Sequence, residues 1–175
     1  LMRLIAESEP LKVYASGNQD VNHLDEEYDG KVPDILDNAF VIVDFENGVR
    51  TFLDLCMFAE NSEFQEELCA VGSAGKIETE VPSNQSGIAN SDLRIGLRKN
   101  NSATKETIAV DAKILEAGHH HGSTYYEHQS FIKAIRNNTK PEVSLNDGLI
   151  AVAIGEAAEI SIKEGRVVQM SEFNL

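Results

Sequence analysis

Runs of period two and stripes of period 3.6 follow one another along this 175-residue chain and divide it into strands first and helices last. Leu1, Leu4 and Ile5 form a helical stripe that is already running at the first residue, with no Ser, Thr, Asp or Asn ahead of it as a cap. Residues 1–9 are therefore read as the tail of a helix cut from a longer protein, ended by Pro10, which cannot continue it. Lys12 to Ser16 alternates like a strand. Residues 17–31 are polar, acidic and aperiodic, as a surface loop would be. Ala39 to Phe45 and Val49 to Phe58 are two β-rich runs around Asn47-Gly48, which predicts a type I′ hairpin, since both central residues of that turn need positive φ. Phe40 and Ile42 share one face of the first run, and Val41, Val43 and Phe45 share the other. Both faces are apolar, so something should cover each.

Further strands are expected at Glu66 to Val71, Lys76 to Val81, Leu93 to Arg98 and Glu106 to Val110, with turns at Gly72-Ser73-Ala74-Gly75 and Lys99 to Ser102 and a loop from Pro82 to Ser91. The last third changes period. Thr124-x-x-Glu127 has the form of a capping box for a helix carrying Tyr126, Phe131, Ile132 and Ile135 and ending at Asn137-Asn138. Ser144 to Asp147 starts a second helix. Its buried side is expected at Leu149, Ile150, Val152, Ala153, Ala157, Ile160 and Ser161, with Gly165 as its stop. Arg166 to Met170 reads as a short closing strand. The pattern predicts an α+β fold: a large, mostly antiparallel open sheet with helices on one face, in a single domain over 1–175.

Composition narrows the classes. The net charge is −14 and the pI is about 4.7, so a nucleic-acid backbone or an anionic membrane surface would be repelled. The longest apolar run, Leu149 to Ile154, is far shorter than the ~18 residues of a membrane helix. Cys56 and Cys69 are too few for a disulfide scaffold, fit a reducing cytoplasm, and are expected to be small core hydrophobes. The pairs Glu26/Glu27 and Glu66/Glu67 read as solvated charges.

Candidate chemistry gathers ahead of the first late helix. His119, His120, His121 and His128 cluster there, with Gly118 and Gly122 bracketing the triplet. A metal site is poorly supported, because adjacent histidines rarely converge on one ion and the i, i+4 pair of zinc motifs is missing. Two readings stay open: a polar loop entering a helix, or a loop lining a ligand pocket, for which Tyr125, Tyr126 and His128 supply hydrogen-bonding groups at a helix N-terminus. There is no Gly-x-Ser-x-Gly, no Walker loop and no Gly-x-Gly-x-x-Gly. Gly72-Ser73-Ala74-Gly75 lies between two strands and reads as a turn.

Gly122 to His128, Phe131 to Arg136, Pro141 to Gly148, Ala157 to Ser161 and Glu164 to Val168, in that order, resemble the C-terminal signature of the glucose–fructose oxidoreductase/inositol dehydrogenase (Gfo/Idh/MocA) family. Glu67 to Ile77 resembles that family's strand–turn–strand. The resemblance covers essentially the whole chain. It implies a C-terminal domain with an open sheet that helps shape the substrate pocket and oligomerises through its free face, next to an N-terminal Rossmann domain holding NAD or NADP. The Rossmann fingerprint and the Glu-Lys-Pro segment with the catalytic lysine are absent here, and the family's Asp-x-x-x-His pair would fall just upstream of Leu1.

The resemblance thus implies that this chain supplies no catalytic residue, holds no cofactor and is inactive alone. Its parent would oxidise a sugar, cyclitol or related polyol, or run the reverse. Tyr125, Tyr126 and His128, with His121, would be substrate walls, and the chain would form a homo-oligomer through the face of the 39–58 hairpin. A different reading, a non-catalytic dimerisation or ligand-binding module, stays open beside it.

Overall fold

A computed structural model describes residues 1–83, 86–117 and 120–175. The chain forms two compact units, one of Leu1–Glu60 with Val143–Leu175 and one of Asn61–Glu142. The class is α+β and the strand pairing antiparallel, as the pattern predicts. The strands fall into two four-stranded sheets, one per unit.

The first unit opens with helix α1 (Met2–Ala6), stopped by Glu7 in the left-handed region, and continues into strand β1 (Pro10–Asn18). Strands β2 (Asn38–Phe45) and β3 (Arg50–Cys56) form the expected hairpin. Its turn differs from expectation. Asn47 keeps negative φ and only Gly48, at +85°, is left-handed. Gly48 N–H donates to Phe45 O at 2.9 Å and Phe45 N–H to Val49 O at 2.9 Å, which makes a three-residue loop closed by a glycine bulge. The Asn47 amide explains the choice: it donates to Ala6 O at 2.8 Å while its Oδ1 accepts from Val49 N–H, so the turn is tied to the end of α1.

Helix α4 (Leu145–Glu164) follows in this unit, then strand β8 (Val168–Gln169) beside β1, giving the order β3-β2-β1-β8. The capping box expected at Ser144 is formed, and Gly165 at φ +65° ends the helix. Its buried stripe is Ile150, Ala153, Ala157, Ala158 and Ser161, spaced three and four apart. Leu149 and Val152, expected inside, point outward because they fall off that stripe. The alanines let the helix lie close on Val13, Ala15, Val41, Val43 and Val168, which are buried with Phe45. Burying each Val or Phe contributes about 1.5–3 kcal/mol. Ser161, fully buried, accepts from Ala15 N–H at 2.9 Å and donates to Arg166 O at 2.6 Å, so it pins α4 to β1.

One face of the 39–58 hairpin is therefore covered as expected. The other is open: Phe40 is 53% and Phe52 59% exposed, with Ile42 and Tyr14 alongside, and the two phenyl rings stack at 5.8 Å. Cys56 and Cys69 are both exposed, contrary to the core role expected for them, because each sits on an edge strand.

The second unit is the meander β4 (Phe64–Val71), β5 (Gly75–Pro82), β6 (Asn90–Leu97) and β7 (Ala103–Ala109), in that order. The Gly72–Gly75 turn closes β4 onto β5 through Gly72 N–H to Gly75 O at 2.8 Å. After β7 come α2 (Ala112–Ala117), which the pattern did not announce, a 3₁₀ turn at His120–Gly122, and α3 (Ser123–Asn137). Among the described residues no helix is long and apolar enough to cross a membrane.

Candidate functional site

The site predicted from sequence lies where α3 begins. The chain enters it through three successive left-handed residues, His120 (φ +54°), His121 (+53°) and Gly122 (+86°). A Cβ on Gly122 would meet Ile114 Cγ2 at 2.7 Å, so glycine is needed there for space as well as for conformation. This sharp entry puts Gly122 at the N-cap, without a side-chain cap. The capping box expected from Thr124 and Glu127 does not form, because Thr124 is already inside the first turn. Among the described residues no side chain caps the first turn of α3. The far end is as predicted, with Asn138 left-handed at φ +52°.

The predicted side chains share this turn. Tyr125 and Tyr126 meet edge to face, with centroids 5.9 Å apart and planes at 76°. The Gln129 amide donates to the Tyr125 hydroxyl at 2.6 Å, which leaves the Tyr125 proton available to an acceptor. Tyr125 is half-buried, whereas Tyr126 and His128 are exposed. His121 is half-buried, and its Nε2 is buried without a hydrogen-bond partner among the described residues. His120 Nδ1 stands 3.7 Å from Glu66 Oε1. His119 and Gly118 lie outside the described residues. Among the described residues no three His, Cys, Asp or Glu side chains are grouped to hold a metal ion. The expected α3 stripe does not form a core: Tyr126, Phe131, Ile132 and Ile135 are each exposed, and Ala134 is the buried residue of that helix.

The arrangement offers phenolic hydroxyls and imidazoles, both able to bond a polar, hydroxylated ligand. Among the described residues it contains no activated nucleophile.

Sequence reasoning missed two anchoring networks in the first unit. Asp37, 1% exposed, accepts from the N–H groups of Asp20 (3.0 Å), Val21 (2.7 Å) and Asn22 (2.8 Å) and from the Asn38 amide (2.9 Å). Burial pushes its carboxyl up, but those four donors outweigh burial and hold it at about 2. The second network is built on Arg3. It forks onto Glu9, at 2.8 and 2.6 Å, and reaches Asp147, the capping-box residue of α4. Hydrogen bonds from Ser144 and from Arg3 hold Asp147 at about 2. Both networks join residues far apart in the chain, Asp37 to residues 20–22 and Arg3 to Asp147, so local pattern shows the Asp147 cap but not its partner.

Comparison with known proteins adds a family. The model described as "Oxidoreductase family, C-terminal alpha/beta domain" matches residues 1–170. No match among curated proteins reaches significance. Solved structures share the fold. An oxidoreductase domain protein from Kribbella flavida aligns with a TM-score of 0.70 at 17% identity, over 96% of this chain and 48% of that one. An oxidoreductase from Agrobacterium radiobacter, solved with NAD+, L-tartaric acid and magnesium, aligns at 0.68 and 19%, over 97% and 46%. An aldose–aldose oxidoreductase from Caulobacter crescentus, solved with glycerol, aligns at 0.64 and 17%, over 95% and 43%. The chain thus spans less than half the length of these structures.

Proposed function

Because the chain belongs to the Gfo/Idh/MocA oxidoreductase family, as its C-terminal alpha/beta domain, we propose a function at the level of a larger parent enzyme. The chain is the substrate-binding and oligomerisation domain of a cytoplasmic, NAD(P)-dependent oxidoreductase that acts on a sugar, cyclitol or related polyol. The family match over residues 1–170 carries this reading.

A dinucleotide is held at a glycine-rich turn between a strand and a helix in a parallel βαβ unit. Every strand pairing among the described residues is antiparallel, and the Gly72–Gly75 turn joins two strands. The described residues therefore do not fit NAD(P), and no step of hydride chemistry is assigned to them. In this reading the cofactor belongs to the other half of the parent. Tyr125, Tyr126, His128 and His121 contribute hydrogen bonds that fix the orientation of a polyol.

The open face of the first sheet supports self-association. Tyr14, Phe40, Ile42 and Phe52 make a contiguous apolar surface, larger in kind than the scattered apolar residues of an ordinary monomer. A second copy is its occupant in this reading.

The test uses the 175-residue chain and the full-length gene product together. Calorimetry is expected to show no NAD+ or NADP+ binding to the chain, while the full-length protein reduces one of them with a polyol from a panel of sugars and cyclitols. Tight nucleotide binding by the chain sinks the proposal. A full-length product inactive on the whole panel would leave a non-catalytic binding module.

A further inference from the structure

The second unit carries a cleft that the oxidoreductase reading does not use. It lies at one end of the sheet, between the Gly72–Gly75 turn and the Lys99–Ser102 turn, with a volume of about 590 Å³. It is a shallow depression open to solvent, suited to one exposed group of a ligand and not to enclosing a whole molecule. No acidic residue lines it, on a chain whose net charge is −14.

The register explains how the space arises. Lys76 pairs with Gly96, so the position opposite Lys76 has no side chain. Gly75 is equally bare: a Cβ there would fall 2.2 Å from Gly96 O. Strands β5 and β6 therefore approach closely, and their ends leave a floor of backbone. Arg98 is the first residue past β6 and lines the same depression as Lys76. Its backbone is fixed by its N–H to Ala74 O at 2.8 Å, yet its guanidinium makes no ion pair among the described residues. Lys76 is held in place by Glu78 at 2.6 Å. Asn100 and Asn101 complete the rim with neutral amide donors.

From this geometry we propose that the cleft binds the phosphate group of a small molecule. Arg98, which makes no ion pair among the described residues, forks onto two oxyanion oxygens, Lys76, whose charge is shared with Glu78, adds a weaker attraction, and Asn100 and Asn101 bond the remaining oxygens. The chemistry is separate from the polyol reading and stands or falls without it.

The test is a titration of the 175-residue chain with inorganic phosphate, followed by amide chemical shifts. Saturable shifts are expected at Gly72–Gly75 and at Asn100–Ala103. Arg98→Gln should weaken binding about tenfold. Lys99→Gln removes the same charge from a residue outside the lining, and should change binding by less than about twofold. Shifts that rise without saturating, or equal weakening by the two variants, would mean diffuse attraction and overturn the proposal.

Discussion

The two sheets share strand number, antiparallel pairing and short turns, yet they bury different things. The sheet of β1, β2, β3 and β8 hides Val13, Val41, Val43, Phe45 and Val168 under the alanine face of α4. The sheet of β4 to β7 has no such core among the described residues. Its unit buries Pro82, Glu80, Gly122 and Ala134, and its apolar positions at Leu68, Val81, Leu93 and Ile95 are only half-buried. It carries instead a face of ion pairs: Lys76–Glu78, Arg94–Glu80, Arg94–Asp92 and Lys105–Asp92. Antiparallel pairing alone thus does not make a core. What differs is a small-residue helix able to lie on one face of the sheet.

The sharpest way to break this comparison is to delete equivalent hydrophobes from both sheets. Phe45→Ala removes a ring that is 2% exposed and should cost about 3–5 kcal/mol in chemical denaturation. Ile95→Ala, half-buried in the second sheet, should cost less than about 1.5 kcal/mol. Equal losses would mean that the second sheet has a core of its own. Amide exchange gives the same contrast without mutation: β1 and β2 should exchange at the global rate, and β6 and β7 faster.

Backbone crowding tests the sheets on equal terms. Each has a glycine whose Cβ would strike a neighbouring carbonyl: Gly17 at 2.5 Å from Asn38 O, and Gly75 at 2.2 Å from Gly96 O. Alanine at either should force the strands apart and cost about 1–3 kcal/mol, read as a fall in denaturation midpoint. Gly75→Ala should in addition collapse the amide dispersion of β5 and β6 while leaving that of β1 and β2 intact.

The open faces differ as well, and that difference is tested in solution mass. Phe40→Asp and Phe52→Asp place charge on the exposed aromatic pair of the first sheet and should weaken self-association more than about tenfold with little loss of stability. Lys105→Ala on the ion-pair face of the second sheet should not change the mass. A monomer at micromolar concentration before any mutation would remove the premise.

Much of this was legible in the residues. Alternation gave β1 through β7, Asn47-Gly48 gave the hairpin, and Ser144 with Asp147 gave the start of α4. Burial was not legible where a pattern fits two faces. Leu149 and Val152 are as apolar as Ile150, and only the sheet they meet decides which of them goes inside. The left-handed run at His120–Gly122 was hidden too, because a non-glycine residue adopts that region uncommonly even though histidine is enriched there, and two in succession displaced the Thr124 cap. Of the candidate site, the grouping of Tyr125 with Tyr126 followed from adjacency on a helix. The Gln129 bond to Tyr125 is an i, i+4 contact that helical spacing could have supplied.

Acid separates the units next. In the first, Asp37 and Asp147 are held at about 2, below the ~3.9 of an unfolded aspartate. A carboxyl with depressed folded pKa contributes stability that is complete above the unfolded value and is lost as pH falls through the folded one. The first unit should therefore lose stability between about pH 4 and pH 2, and Asp37→Asn should flatten part of that slope. The same variant keeps the side chain's shape but weakens its bonds to Asp20, Val21 and Asn22, so amides of residues 20–22 should exchange faster. An unchanged acid slope in the variant would show that Asp37 does not anchor the 19–36 loop.

The smallest effect is expected on the ion-pair face of the second sheet. Glu80 is 7% exposed and takes two bonds from Arg94, at 2.6 and 3.0 Å, whereas the Arg94 side chain is 42% exposed. Arg94 is thus the lid over Glu80, and Arg94→Gln both removes the partner and uncovers the carboxylate to water. Hydration then replaces much of what the pair supplied, because the Arg94 end of it already lies in solvent and its loss opens the Glu80 end. The melting midpoint should fall by no more than about 2 °C in dilute buffer, and by less in 1 M salt, where the pair is already screened. A large, salt-insensitive loss would mean that this ion pair stands in for the missing apolar core, and the contrast between the two sheets would then be one of chemistry and not of cohesion.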